Sequence, residues 1–298
     1  MGYGSWTTSA YANYTYNTTG MSVEDFATTN FSARQLYTSR KLNEVLNPYK
    51  VMRECCDSEE HPNTLPVILA LDVTGSMGDA SVKVAQKLNE IMTELYADEN
   101  VKDIEFCIMG IGDLSYDDAP IQMSQFESDI RIAEQLDKIY FEAGGGGNKY
   151  ESYTAAWYMG TRHAKLDCWK RGQKGIIITL GDELPNPYLP KDELVNVTGD
   201  SLQNNIETSD LYKEVIEKYD VYHIAVNDTS SSYGFHNFKG NLDTEWKKLI
   251  GENNYFVANL NNLSKIITDI ISSRATNINT IPSLNTGLTL NEDGEVTW

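Results

Sequence analysis

Asp72, Thr74 and Ser76 stand at alternate positions directly after the apolar run Leu65-Pro-Val-Ile-Leu-Ala-Leu71. One carboxylate and two hydroxyls on a tight turn direct oxygens at a common point. That donor set suits a hard divalent cation, Mg²⁺ or Mn²⁺, rather than zinc. Gly75 lets the turn form without a Cβ penalty. The same residues also read as an N-cap cluster ahead of a helix. Asp182 ends a second apolar run, Gly175 to Leu180 followed by Gly181. If the two runs are neighbouring strands, both acids meet at one sheet edge. Between the runs lie four glycines, Gly144 to Gly147, then Asn148 and Glu151. No Gly-Lys-Ser/Thr follows the glycines, so they are not a phosphate-binding loop. Asn148 offers a side-chain carbonyl to a cation. Glu151 either adds a charge to the outer shell or supports the first turn of the next helix. Asp113, after a third apolar run, joins the outer shell or caps its own loop. His61, His163, His223 and His236 share no metal spacing and read as structural or surface residues. Asp117 and Asp118 read as a solvated turn, and Glu183 as facing solvent.

The elements that must position these groups alternate between strand and helix. Strands are expected at 66–71, 104–110, 175–180, 221–226 and 255–257, with a short edge strand within 121–126. Helices are expected at about 80–96, 130–136, 153–164, 211–219, 246–250 and 263–271. The helix over 80–96 carries Val84, Leu88, Ile91 and Leu95 on one face. The helix over 263–271 carries Leu263, Ile266, Ile267, Ile270 and Ile271. Such alternation implies an α/β fold: a doubly wound, mostly parallel central sheet with helices on both faces. Residues 1–63 read as an N-terminal extension, whose first 20 residues carry no charge and read as a low-complexity tail. Ser22 to Asp25 resembles a capping box. Residues 64–273 form the α/β domain, and 274–298 a polar C-terminal tail.

With 298 residues, 41% of them hydrophobic, the chain can bury a sizeable core. The formal charge of −19 argues against a general nucleic-acid or anionic-membrane binder. Exposed charges are screened beyond about 8–10 Å, so this balance biases encounter more than it decides docking. Cys55, Cys56, Cys107 and Cys168 show no zinc spacing, and Cys107 and Cys168 lie in apolar surroundings as buried thiols. No leader pattern opens the chain and no apolar run is long enough to span a bilayer, so the expected location is cytoplasmic.

The spacing Asp72-x-Thr74-x-Ser76 resembles the opening of the metal-ion-dependent adhesion site of the von Willebrand factor A family, with Thr in the first hydroxyl position. The resemblance extends over about residues 64–272, with all three loops in the family's order. It implies an intracellular member of bacterial or phage type with a variant site. In that family the second loop supplies a Thr, and Asn148 falls on its position here. The third supplies an Asp, matched by Asp182. The resemblance implies a bound Mg²⁺ or Mn²⁺ that leaves a place for a partner's Asp or Glu. The function it implies is non-enzymatic protein binding, beside an ATPase or a kinase-type module. In related adhesion domains the terminal helix shifts with ligand state. The alternative is a phosphohydrolase of the haloacid dehalogenase type, with Asp72 as nucleophile. Against it, Thr74 replaces that family's general-acid Asp. Pro185, Asn186 and Pro187 also occupy the stretch where its later acid belongs.

Overall fold

Strands buried on both faces read as nearly continuous apolar runs, and the long apolar runs do form the central strands. The computed structural model describes residues 4–101, 103–142, 149–227 and 239–275, with a backbone pair at 289–290 and 296–297. Helices α1 (Thr8–Thr19), α2 (Val23–Thr28) and α3 (Ala33–Leu36) come first, then β1 (Arg53–Cys55). β2 (Leu65–Asp72), α4 (Gly78–Ala97), β3 (Ile104–Ile111), β4 (Ile121–Met123) and α5 (Arg131–Leu136) follow. Next are β5 (Tyr150–Glu151), α6 (Ala155–Arg162), β6 (Ala164–Leu166), β7 (Gly175–Gly181), β8 (Leu184–Pro185) and β9 (Tyr188–Leu189). The chain continues through α7 (Lys191–Thr198), β10 (Ile206–Glu207), α8 (Thr208–Val215), β11 (Tyr219–Val226), α9 (Lys239–Ile250), β12 (Tyr255–Ala258) and α10 (Leu263–Ala275). A short antiparallel pair, β13 (Thr289–Leu290) and β14 (Val296–Thr297), comes last.

The central sheet has six strands in the order β12-β11-β7-β2-β3-β4. All neighbours run parallel except β3 and the edge strand β4. After β2 the chain passes to β3 on one side, whereas β7 lies on the other. The order therefore reverses between β2 and β7, where doubly wound sheets open a crevice at their carboxyl ends. Alternation along each strand divides the core. Val67, Leu69 and Leu71 pack with α4 and α10 on one face, while Ile68 and Ala70 pack with α6, α8 and α9 on the other. The expected face of α10 (Leu263, Ile266, Ile267, Ile270 and Ile271) is buried, with α4 as a neighbour.

The first 20 residues depart from the expected tail, since residues 8–19 are helical. Thr7 caps α1 by accepting the Ala10 N–H, and Gly20 ends it in the left-handed conformation at φ 73°. Trp6 and Tyr11 are buried, and the Trp6 indole donates to Asn89 of α4 at 3.1 Å. Anchoring by a few aromatic rings, without amphipathic periodicity, is what holds this helix down. Ser22 caps α2 by accepting the Asp25 N–H, as expected.

Candidate metal site

Asp72 ends β2 and Asp182 follows β7, with Leu71 and Leu180 in register, so both acids stand at the same sheet edge. Asp72 is fully buried. Its Oδ1 accepts the Thr74 N–H at 2.9 Å and the Thr74 hydroxyl at 2.6 Å. Its carbonyl oxygen accepts the Ser81 hydroxyl at 3.0 Å, tying the strand end to α4. Above this floor the exposed Ser76 donates to Asp182 Oδ1 at 3.1 Å, joining the loops after β2 and β7. The site is therefore layered, with a buried acid and hydroxyl below a solvent-facing hydroxyl and acid.

A residue outside the expected set completes the floor. Tyr153, fully buried, donates its hydroxyl to Asp72 Oδ2 at 2.7 Å and accepts the Glu183 N–H at 3.2 Å. One phenol thus bridges the acid of the first loop and the backbone of the third. Gly181 makes room for it, because a Cβ there would overlap the Tyr153 ring and hydroxyl. The glycine before Asp182 was the signal in the sequence, but it does not name the side chain that needs the space.

The outer residues fall differently. Glu151 is not in a helical turn: it lies in β5, paired with β8, and is buried with Oε2 lacking a hydrogen-bond partner. Burial, then the charges of Asp72, Asp117 and Asp113, push its carboxyl far above the usual range. Asp113 caps its own loop, its Oδ1 accepting the Ser115 N–H at 2.8 Å. Asp117 is half-buried rather than solvated, and its Oδ2 accepts the Asp113 N–H at 2.7 Å. Glu183 is also half-buried, its carboxyl raised to about 7 by burial and the Asp182 charge. Asn148 and Gly144 to Gly147 lie outside the described residues, as does His236. The other three histidines are buried structural residues. Nδ1 of His61 contacts Asp103, Nε2 of His163 contacts Asp200, and Nδ1 of His223 contacts Thr179.

The donor set fits a hard cation. Burial, then the neighbouring Asp182 charge, push Asp72 above the ordinary carboxylate range, a strain that positive charge between the acids would relieve. Every available donor is an oxygen. Three hydrogen bonds occupy the Asp72 carboxylate, which has about four acceptor positions, so Asp72 retains acceptor capacity. Among the described residues no group of three or more His, Cys, Asp and Glu could hold a metal; the oxygens gathered here are those of two acids and two hydroxyls.

The fold is a doubly wound α/β sheet, with Asp72, Thr74, Ser76 and Asp182 gathered at its carboxyl edge. No family model matches the chain, and no curated protein matches it. It is similar to the pilus adhesin SpaC of Lactobacillus rhamnosus GG, with 14% identity and a TM-score of 0.46. That match covers 75% of this chain and 31% of the adhesin. The vWF domain of the type V pili tip protein Mfa5 from Porphyromonas gingivalis is 12% identical, with a TM-score of 0.42 over 73% of this chain and 97% of that domain. Proximal thread matrix protein 1 from the mussel byssus, with a zinc-occupied MIDAS motif, is 13% identical, with a TM-score of 0.42 over 76% of this chain and 47% of that protein. The chain thus spans less than half the length of SpaC and of the mussel protein.

Proposed function

We propose that the chain is a non-enzymatic protein-binding module of the von Willebrand factor A type, whose grip on its partner requires a divalent cation. The observation that carries this reading is the Ser76–Asp182 hydrogen bond above the buried Asp72, which joins two strand-end loops around oxygens alone. Asp72, Thr74, Ser76 and Asp182 are the proposed holders of Mg²⁺ or Mn²⁺, with Asn148 from the second loop and Glu151 and Asp113 outside them. A bound cation would supply Lewis-acid attraction for a partner's Asp or Glu carboxylate. Asp72 would balance the positive charge from below, its carboxylate direction fixed by the Tyr153 hydroxyl, and Ser76 and Asp182 would face the incoming group. The phosphohydrolase alternative needs an Asp72 that a phosphoryl group can reach and a general acid beside it, whereas Asp72 is fully buried and Thr74 stands in the general-acid position.

The partner is a protein, with ATPase and kinase-type modules as the proposed classes. Residues 64–273 are proposed as the module, between the N-terminal extension and the C-terminal tail. Among the described residues no helix is long and apolar enough to cross a membrane. The four cysteines are free thiols, which supports a reducing, cytoplasmic setting. Affinity capture with the full chain tests the reading. A partner retained in Mg²⁺, released by chelator and absent with Ser76→Ala is the expected result. Mg²⁺-dependent hydrolysis of an aryl phosphate that disappears in Asp72→Asn would overturn it.

A further inference from the structure

Beside the candidate metal site lies a groove of about 710 Å³, within the range of ligand-binding clefts. One wall is the loop that carries Asp182 onward: Leu184, Pro185 and Pro187 line the groove directly after it. Tyr150, in the strand paired with β8, forms another part and is 40% exposed. The opposite wall is α8 and α9, through Tyr212 and Lys248 among others.

The groove is built on a fixed frame rather than on loose loops. The Trp246 indole of α9 donates to the Glu183 carbonyl at 3.1 Å, and its ring stacks on His223 at 3.7 Å. The Glu183 N–H is held by Tyr153, so both backbone polar groups of the residue after Asp182 are fixed by buried aromatic side chains. Asn186 is pinned from both sides, donating to Ser152 Oγ at 2.9 Å and accepting the Thr208 hydroxyl on its carbonyl at 2.6 Å. The helix that walls the groove therefore also holds the loop bearing Asp182.

We infer that this groove receives the flank of the same partner segment whose carboxylate reaches the cation, an inference that rests on the function proposed above. Tyrosine rings and proline faces form flat apolar walls suited to an extended, proline-containing chain without regular hydrogen bonding of its own. The charged side chains lining the groove are two bases, Lys213 and Lys248, and one acid, Glu245, on a chain of net charge −19. Lys213 bridges Asp210 at 2.8 Å, while Lys248 makes no ion pair among the described residues. The occupant is thus an extended segment with one Asp or Glu for the cation, then proline or apolar residues, then a second acid for Lys248.

An immobilised peptide array tests this directly. Each peptide carries one Asp, followed at varied distance by Pro, Leu or Phe and then by Glu or Gln. The full chain is applied in Mg²⁺ or in chelator, as wild type and as the surface variants Lys248→Glu and Ser209→Arg, the second placing a bulky side chain in the groove. Mg²⁺ calorimetry on each variant checks that the cation site is intact. The expected result is Mg²⁺-dependent retention of peptides with the full pattern, lost about tenfold or more in both variants while Mg²⁺ binding is unchanged. Mg²⁺-dependent retention that both variants leave intact would overturn the groove assignment. Retention indifferent to chelator but lost in both variants would uphold the groove and overturn the cation reading. Retention with no preference for the trailing acid, or self-association abolished by Ser209→Arg, would overturn the proposed occupant.

Discussion

Tyr153 and Gly181 form a matched pair. A phenol aimed at a buried carboxylate needs the space in which any larger residue at 181 would place a Cβ. Gly181→Ala should therefore destabilise the chain by about 1–3 kcal/mol through overpacking. Tyr153→Phe, which removes one donor from a buried charged acceptor, should cost a similar amount. Tyr153→Ala opens the same space, so Gly181→Ala should be much less costly in its presence. Urea denaturation of the double-mutant cycle checks this, and strictly additive effects would separate the two residues. That Asp72 and Asp182 meet at one sheet edge was legible in the sequence, because each acid closes an apolar run that reads as a strand. Tyr153 was not, because it meets Asp72 across 81 residues and no local spacing announces that contact. Nor does the sequence show the short strand that carries Glu151, which follows the glycine loop.

At the scale of elements, β3 holds an acid where its neighbours are apolar. Glu105 is buried, and its Oε2 lacks a hydrogen-bond partner. Burial raises its carboxyl from 4.5 to about 7, against smaller lowering contributions from the Cys55 thiol and His61, while Glu127 raises it further. Between those values the folded chain binds more protons than the unfolded one, so stability falls as pH rises through the window. Glu105→Gln should remove its own share of that fall, about 1–3 kcal/mol between about pH 5 and about pH 7.5, and leave the part due to the other raised carboxyls, Asp72 and Glu183 among them. Denaturation curves at the two pH values read it directly, and an unchanged difference would contradict the assignment. Such a position reads from the sequence only as a polar residue in a strand. The mostly parallel, doubly wound sheet was more accessible, because apolar runs alternate with helical periodicity along the chain. The helix α7 and the small strand pairs were not legible, being short and held by contacts distant in sequence.

At the scale of the molecule, the N-terminal segment is part of the packed structure. Trp6 and Tyr11 join the core cluster that contains α4 and α10. Gly4 also accepts the Ser128 hydroxyl on its carbonyl at 2.6 Å. Full burial of a large apolar side chain is worth about 1.5–3 kcal/mol, so removal of residues 1–20 should lower stability by several kcal/mol. Thermal unfolding of the truncated chain tests this, and an unchanged midpoint would return the segment to the status of a tail. An uncharged, polar sequence looks like a tail because periodicity arguments count apolar stripes. Two aromatic anchors and a capped helix leave no stripe.

The central claim is that the carboxyl ends of β2 and β7 hold a divalent cation through Asp72, Thr74, Ser76 and Asp182. Calorimetric titration of the full chain with Mg²⁺ and Mn²⁺, repeated on Asp182→Asn, tests it most directly. Asp182 is half-exposed in a loop, so the variant should fold while losing one of the two charges. The account predicts measurable binding of Mg²⁺ or Mn²⁺ to the wild-type chain and a loss of about tenfold or more, about 1.4 kcal/mol, in the variant. Equal affinity in the two proteins, or tight Zn²⁺ binding with no response to Mg²⁺ or Mn²⁺, would contradict it.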